Sequence, residues 1–329
     1  MKYQRKLEFL MDEFELIKKY FQRLTKNNPS ALKLNDDIFF DKKRKLALSM
    51  DTYNESIHYL NFKNPGLLIK KIIRSSISDL YCKGVNPKYI FLSASGNKKH
   101  FNKKNLNKIS KSIYEEQRKF RIMLSGGDIT YSKKSSFTVV SLGFSKKFVK
   151  RNNVKINDDI YVTGNLGDSF VGLNVLKKKI NINKKINNYF IKKYFLPELP
   201  IKFHKYLNKF ANSSIDISDG LLADLNKLIN NQKFGFNLYL SKIPISRNLE
   251  IYLKNNIKKS FNYISKGDDY QILFSSYKKN RNYIQKLSKR INQKITLIGT
   301  ITNKYKQRKL INHKNQLKSL NYEGYSHKF

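Results

Sequence analysis

The sequence predicts a mixed α/β protein folded as two domains. Three observations carry this expectation. The chain has 329 residues, a length that favours two domains over one. Short apolar runs of strand type alternate with segments of helical periodicity in both halves. Between the halves, residues 145–157 form a Lys/Asn-rich stretch of low hydrophobicity. The boundary is therefore drawn there, giving an N-terminal domain over 1–147 and a C-terminal domain over 148–329.

In the first half, residues 7–24 place Leu7, Leu10, Phe14, Ile17, Phe21 and Leu24 on one helical face, and Asn27-Asn28-Pro29 stops the run. Residues 46–50 read as a short buried strand leading into Asp51. Pro65-Gly66 opens a strong helix whose core face is Leu68, Ile69, Ile72, Ile73, Ile77 and Leu80. Asp79 lies near its end, and Gly84 and Pro87 close it. A strand at 89–94, a polar helix at 103–119 and a strand at 121–124 follow, the last running into Ser125-Gly126-Gly127-Asp128. A strand at 137–144 completes a set that reads as antiparallel.

The second half begins with a strand at 159–163, a turn at Gly164–Gly167 and a helix from Asp168. Residues 180–193 are a Lys/Asn/Ile insertion of low complexity, expected as a surface loop or helix end. A strand at 214–217 leads into Asp219-Gly220, which caps a helix over 221–229. Strands at 236–240 and 271–274, a helix near 280–291 and a strand at 295–298 complete the pattern.

Composition narrows the function. With 40% hydrophobic and 13% aromatic residues, each half can bury a core, so disorder is not expected despite the charge. The lone cysteine, Cys82, excludes a disulfide framework and a Cys-based zinc site, and reads as a small buried side chain. No apolar run has transmembrane length. Glu8, Asp12, Glu13 and Glu15 interrupt the basic N-terminus, and no signal-peptide core follows, so the expected compartment is the cytoplasm. The net charge of +42 comes from 66 Lys+Arg against 24 Asp+Glu. These cations are spread evenly and Trp is absent, so the charge reads as compositional drift and a specific nucleic-acid partner is not expected.

The few acids are more informative. They recur beside glycine or hydroxyl residues: Asn35-Asp36-Asp37, Ser49-Met50-Asp51-Thr52, Ser78-Asp79, Gly126-Gly127-Asp128, Asp216-Ile217-Ser218-Asp219-Gly220 and Gly267-Asp268-Asp269-Tyr270. Short carboxylates in tight turns suit hard divalent cations, and magnesium suits polyphosphates. In Gly126-Gly127-Asp128, two glycines after a strand would let a ligand approach the backbone. Strand alternation puts Asp216 and Ser218 on one face, with Asp219 at a helix mouth. No P-loop, dinucleotide fingerprint or protein-kinase signature is present. The clusters suggest a metal-assisted phosphate site built from distant parts of the chain.

In order and spacing, these clusters resemble thiamine-monophosphate kinase, of the superfamily of aminoimidazole ribonucleotide synthetase and selenophosphate synthetase. The resemblance runs from Asp12-Glu13-Phe14-Glu15 to Gly324-Tyr325-Ser326-His327 and includes Ile77-Ser78-Asp79-Leu80 and Gly164 through Gly167-Asp168-Ser169. It implies direct transfer of the γ-phosphoryl group of ATP to thiamine monophosphate, giving thiamine diphosphate. It also implies a homodimer formed through a mixed N-terminal sheet, with a C-terminal α/β domain closing the cleft. By the same resemblance, Asp37, Ser49, Asp51, Thr52, Asp79, Asp128, Asp216 and Asp219 would hold several magnesium ions. Gly127, Asp128, Arg151 and Ser218 would meet ATP, and His58, Asp268 and Tyr325 would meet thiamine monophosphate. The acceptor is already an anionic phosphate oxygen, so no general base is assigned.

The chain departs from the family pattern at Lys33-Leu34-Asn35, where glycines are usual, and at Met50, Ser76, Asp268 and Tyr322. Three other readings are open. A selenophosphate synthetase would want a reactive cysteine near the N-terminus, and only Cys82 exists. A nucleic-acid binder would leave the carboxylates unexplained. A catalytically weak homologue is the third.

Overall fold

Two sheets organise the chain. The computed structural model describes residues 11–254, 262–305, 307–311 and 317–319. The first helix, α1 (Glu13–Leu16), is held by a reciprocal cap in which Asp12 Oδ1 accepts from the Glu15 N–H at 2.8 Å. It continues through a π turn (Ile17–Phe21) and a 3₁₀ turn (Gln22–Thr25), so the expected helix is present over its described part but irregular. Its apolar side chains Phe14, Phe21 and Leu24 remain exposed. The next turn (Pro29–Leu34) carries Leu32, Lys33 and Leu34 at φ of 52°, 59° and 52°. Three consecutive side chains in the left-handed region are a local strain of about 1–2 kcal/mol each.

The first sheet contains β1 (Phe39–Asp41), β2 (Leu46–Asn54), β3 (Pro87–Gly96), β4 (Met123–Tyr131) and β5 (Ser136–Phe144), in the order β1-β2-β5-β3-β4. Only part of the antiparallel expectation holds, because β3 and β4 are parallel. Parallel neighbours need a crossover, and α3 (Lys103–Phe120) supplies it. The Gly126-Gly127 pair lies inside β4 rather than in a turn after a strand. A Cβ on Gly127 would sit 1.9 Å from the Leu92 carbonyl oxygen. Glycine is needed there so that β3 can approach.

The helix between β2 and β3, α2 (Pro65–Cys82), joins the two sheets. Leu68, Ile69, Ile72, Ile73 and Ile77 bury one side against Val139 and Phe137 of β5 and Ile109 and Ile113 of α3. The opposite stripe, Lys71, Arg74, Ser75 and Ser78, is also buried. It faces the second half of the chain: Arg74 Nη1 donates to the Pro197 carbonyl at 3.2 Å and Ser78 Oγ to Asp216 Oδ2 at 2.5 Å. A helix buried all round with polar groups on one side must satisfy each of them.

The second sheet contains β6 (Asp159–Thr163), β7 (Ala211–Asp216), β8 (Gly235–Tyr239), β9 (Ile272–Ser276), β10 (Ile295–Thr302), β11 (Arg308–Ile311) and β12 (Leu317–Ser319), in the order β12-β11-β8-β10-β6-β9-β7. The β11–β8 pair is parallel and the others antiparallel. Helices α4 (Asp168–Leu176), α5 (Lys184–Phe195), α6 (His204–Leu207), α7 (Leu221–Ile229), α8 (Arg247–Tyr252) and α9 (Arg281–Arg290) pack around it. The low-complexity insertion is thus mostly helix. Asn183 caps α5 by accepting from the Ile186 N–H at 2.9 Å, and Phe190 and Tyr194 anchor it in the interior. No helix among the described residues is long and apolar enough to cross a membrane.

Candidate active site

The polar stripe of α2 forms one wall of a cavity of about 300 Å³ between the two sheets. Asp51, His58, Asp79, Asp216, Ser218, Asp219 and Asp268 line it together with Lys71 and Tyr270. Residues separated by more than half the chain are thereby brought to one place. Asp51 projects inward from β2 and Asp79 from α2. Asp216 ends β7, and Ser218 and Asp219 follow before the N-terminus of α7.

Alternation along β2 turns Ser49, Asp51 and Tyr53 inward and leaves Met50 and Thr52 exposed. Ser49 donates to Asp79 Oδ2, and Ser78 to Asp216 Oδ2. Asp37, Asp79 and Asp216 each offer an oxygen within 4.8 Å of the others. Burial, then the nearby Asp216 carboxylate, pushes Asp51 up to about 7. Burial raises Asp216 to about 6, with Asp224 adding to the effect. Asp79 is pushed well up by burial and by Asp51. These raised values mark Asp51, Asp79 and Asp216 as carboxylates short of positive charge, and hard oxygen donors at this spacing fit divalent cations.

Charge is balanced at the far edge of the cluster. The Lys83 ammonium lies 2.7 Å from Asp36 Oδ1 and 2.6 Å from Asp37 Oδ2. Arg151 Nε donates to Asp37 Oδ2 at 3.0 Å, and its Nη2 also contacts Asp37. At another edge, Lys227 pairs with Asp219 and, at 3.1 Å, with Asp224.

At the other end, Asp268 sits at φ 67°. Its N–H donates to the Ser218 carbonyl at 2.8 Å, its Oδ1 accepts from the Tyr270 hydroxyl at 2.9 Å, and Lys71 Nζ lies 2.7 Å from its Oδ2. Lys71 also donates to the Tyr194 carbonyl at 3.2 Å and stands 3.8 Å from the centre of that ring. His58 Nδ1 accepts from the Asn54 N–H at 2.9 Å. Asp268 also borders a second polar cavity of about 380 Å³ that contains Asp168, Lys193, Glu198 and Asp269.

Some expected site residues stand apart. Thr52 is at the cavity rim, but its hydroxyl lies 2.9 Å from Thr138 Oγ1 on the outer sheet face. Gly127 and Asp128 are on the exposed edge strand β4, where Asp128 Oδ1 accepts from the Ile129 N–H at 2.9 Å. Arg151 is engaged by Asp37 and borders a groove with Lys18, Arg23 and Lys150 instead of this cavity. Tyr325 and Tyr322 lie outside the described residues. Lys71, Lys83 and Tyr270 were not foreseen. Lys71, Ser75 and Ser78 recur at helical spacing opposite the apolar face of α2, and that stripe was the available signal.

Residues 32–145 match the family described as AIR synthase related protein, N-terminal domain. The chain is 38% identical over 299 residues to a thiamine-monophosphate kinase of Buchnera aphidicola subsp. Acyrthosiphon pisum, covering 88% of this chain and 91% of that one. This chain belongs to the thiamine-monophosphate kinase family. A relative in the family from Aquifex aeolicus is 30% identical over 249 residues, covering 73% of this chain and 78% of that one. A solved structure described as AaThiL complexed with AMPPCP and TMP superposes with a TM-score of 0.83 at 26% identity, covering 99% of this chain and all of that one. The fold extends to a HypE–HypF complex, with a TM-score of 0.72 at 12% identity over 91% of this chain and 98% of that chain.

Proposed function

We propose that this chain phosphorylates thiamine monophosphate with ATP, giving thiamine diphosphate and ADP. The observation that carries this reading is the cavity that gathers Asp51, Asp79, Asp216, Ser218, His58 and Asp268 around one space, in a chain of this family. An acceptor phosphate oxygen attacks the γ-phosphorus, the bond to the bridging oxygen breaks, and ADP leaves. The acceptor oxygen is already anionic, so the residues need only align two anionic groups and offset their repulsion. Asp51, Asp79 and Asp216, with Ser49 beside them, would hold magnesium, and bound magnesium would neutralise phosphate charge there; Asp37, also expected as a ligand, is already paired with Lys83 and Arg151. Ser218 and Asp219 border the nucleotide end. His58 and Asp268, the latter fixed by Lys71 and Tyr270, border the acceptor end.

We further infer that a second copy docks on the outer face of the first sheet. Cross-strand rows there begin with Leu48, Leu142, Tyr89 and Met123, followed by Met50, Val140 and Phe91. Met50 is 65% exposed and Ile129 69% exposed, and β4 is an open edge. Thr52, Thr138, Ser93 and Asp128 form a polar row on the same face. A docked copy would bring Asp128 and Gly127 toward a site that one chain leaves without them. This reading divides the chain near residue 147 and places the enzyme in the cytoplasm, where ATP is supplied.

The test is turnover of thiamine monophosphate by purified protein with ATP and magnesium. Asp51→Asn, Asp79→Asn and Asp216→Asn should each lower kcat at least 100-fold, while each variant melts no lower than the parent in EDTA, because a repelling buried charge is removed. Asp41→Asn, which loses only a surface pair with Arg44, serves as the control. Equal losses at all four positions, or no turnover by the parent, would reject the reading.

A further inference from the structure

Lys83 is fully buried, and a lysine in that position must be matched by charge and hydrogen bonds. Its ammonium has three close partners. Asp36 and Asp37 lie at 2.7 and 2.6 Å, and the Ser214 carbonyl accepts at 2.6 Å. The two carboxylates are themselves 5% exposed. With Arg151 on Asp37, two anions meet two cations, and this edge of the carboxylate cluster is neutral without any bound ion. The rest of the cluster differs. Asp51, Asp79 and Asp216 accept instead from the hydroxyls of Tyr53, Ser49 and Ser78.

We propose that Lys83 is a positioning residue that takes the place of a divalent cation at Asp36 and Asp37, holding Asp37 in place and confining metal binding to the Asp51–Asp79–Asp216 side. The proposal rests on the reading that these carboxylates bind magnesium. This ammonium has no donor left for a phosphate, because its three N–H groups are taken by Asp36, Asp37 and the Ser214 carbonyl. What it supplies is charge and a fixed carboxylate geometry, independent of the magnesium concentration. Lys83 also ties the end of α2 to β7 through Ser214, so the same contact sets Asp79 and Asp216 at their separation.

The test is thermal melting with EDTA and across a magnesium titration, for the parent, Lys83→Met and the double variant Asp36→Asn/Lys83→Met. The single variant should melt well below the parent in EDTA and recover most of the loss in millimolar magnesium. The double variant, with its charge rebalanced, should fold and show the parent's magnesium dependence. An equal loss with and without magnesium would overturn the proposal, since Lys83 would then only fill space. Failure of the double variant to fold would also overturn it, because charge would not be the role. A parent that shows no magnesium shift while Lys83→Met does would uphold Lys83 as the cation's stand-in at Asp36 and Asp37 but overturn the confinement of magnesium to the other three carboxylates.

Discussion

His204 shows how a single buried ring makes stability depend on pH in this chain. It packs 4.6 Å from the Tyr81 ring, its Nδ1 lies 2.8 Å from the Ile201 carbonyl, and burial lowers it from 6.5 to about 4. A carbonyl partner requires Nδ1 to donate, which a neutral ring can do. The unfolded chain takes up a proton near 6.5, whereas the folded chain does not until about 4. This group's contribution is therefore complete above pH 6.5 and is lost as pH falls toward 4, by about 3 kcal/mol in all. His204→Gln should flatten that part of the profile, as measured by urea unfolding between pH 7 and 4.5. An unchanged acid slope would mean that other groups set it. The same economy of polar groups governs the cavity, where nearly every charged side chain is paired or hydroxyl-bound. Lys83 carries no signal in the sequence for a simple reason: among 66 Lys+Arg, a buried lysine looks like all the rest, whereas Lys71 is marked only by the polar stripe of α2.

At the scale of elements, the legible parts were those with strong apolar periodicity. The apolar face of α2 is buried from Leu68 to Leu80 as its periodicity indicates, and four of the six acid clusters border one cavity. What failed was local chemistry overruled by pairing. Gly126-Gly127 looks like a turn but continues β4, because β3 passes so close that only glycine fits. Lys, Asn and Ile obscured α5, whose Phe190 and Tyr194 gain from burial what the composition withholds. Gly127→Ala should therefore act through the sheet. We expect a loss of about 3 kcal/mol or more from overpacking against Leu92, with the KM for ATP unchanged in the protein that remains folded. A raised KM for ATP with unchanged melting would instead return Gly127 to the nucleotide.

For the whole molecule, the outer face of the first sheet and the irregular α1 leave apolar surface that the chain does not cover by itself. Met50→Lys should shift the mass measured by light scattering from two chains to one at micromolar protein, and turnover per chain should fall with it. A monomeric parent would remove the proposed role of a second copy.

Burial of α2 on both sides also sets an order of assembly. Asp51 and Asp79 come from the first half and Asp216 from the second, and Lys83 reaches Ser214 across the junction. A nascent chain that has released only its first 150 or so residues has β1 to β5 and α2 but no cavity. During that interval Arg74 keeps Glu116, and Lys83 keeps Asp36 and Asp37, all within the first half, whereas Lys71 lacks Asp268 and Tyr194 and leaves a charge that disfavours sticking to neighbours. Asp216 arrives with β7 and Asp268 after it, so the carboxylate cluster is completed late, by the closing of one half of the chain upon the other.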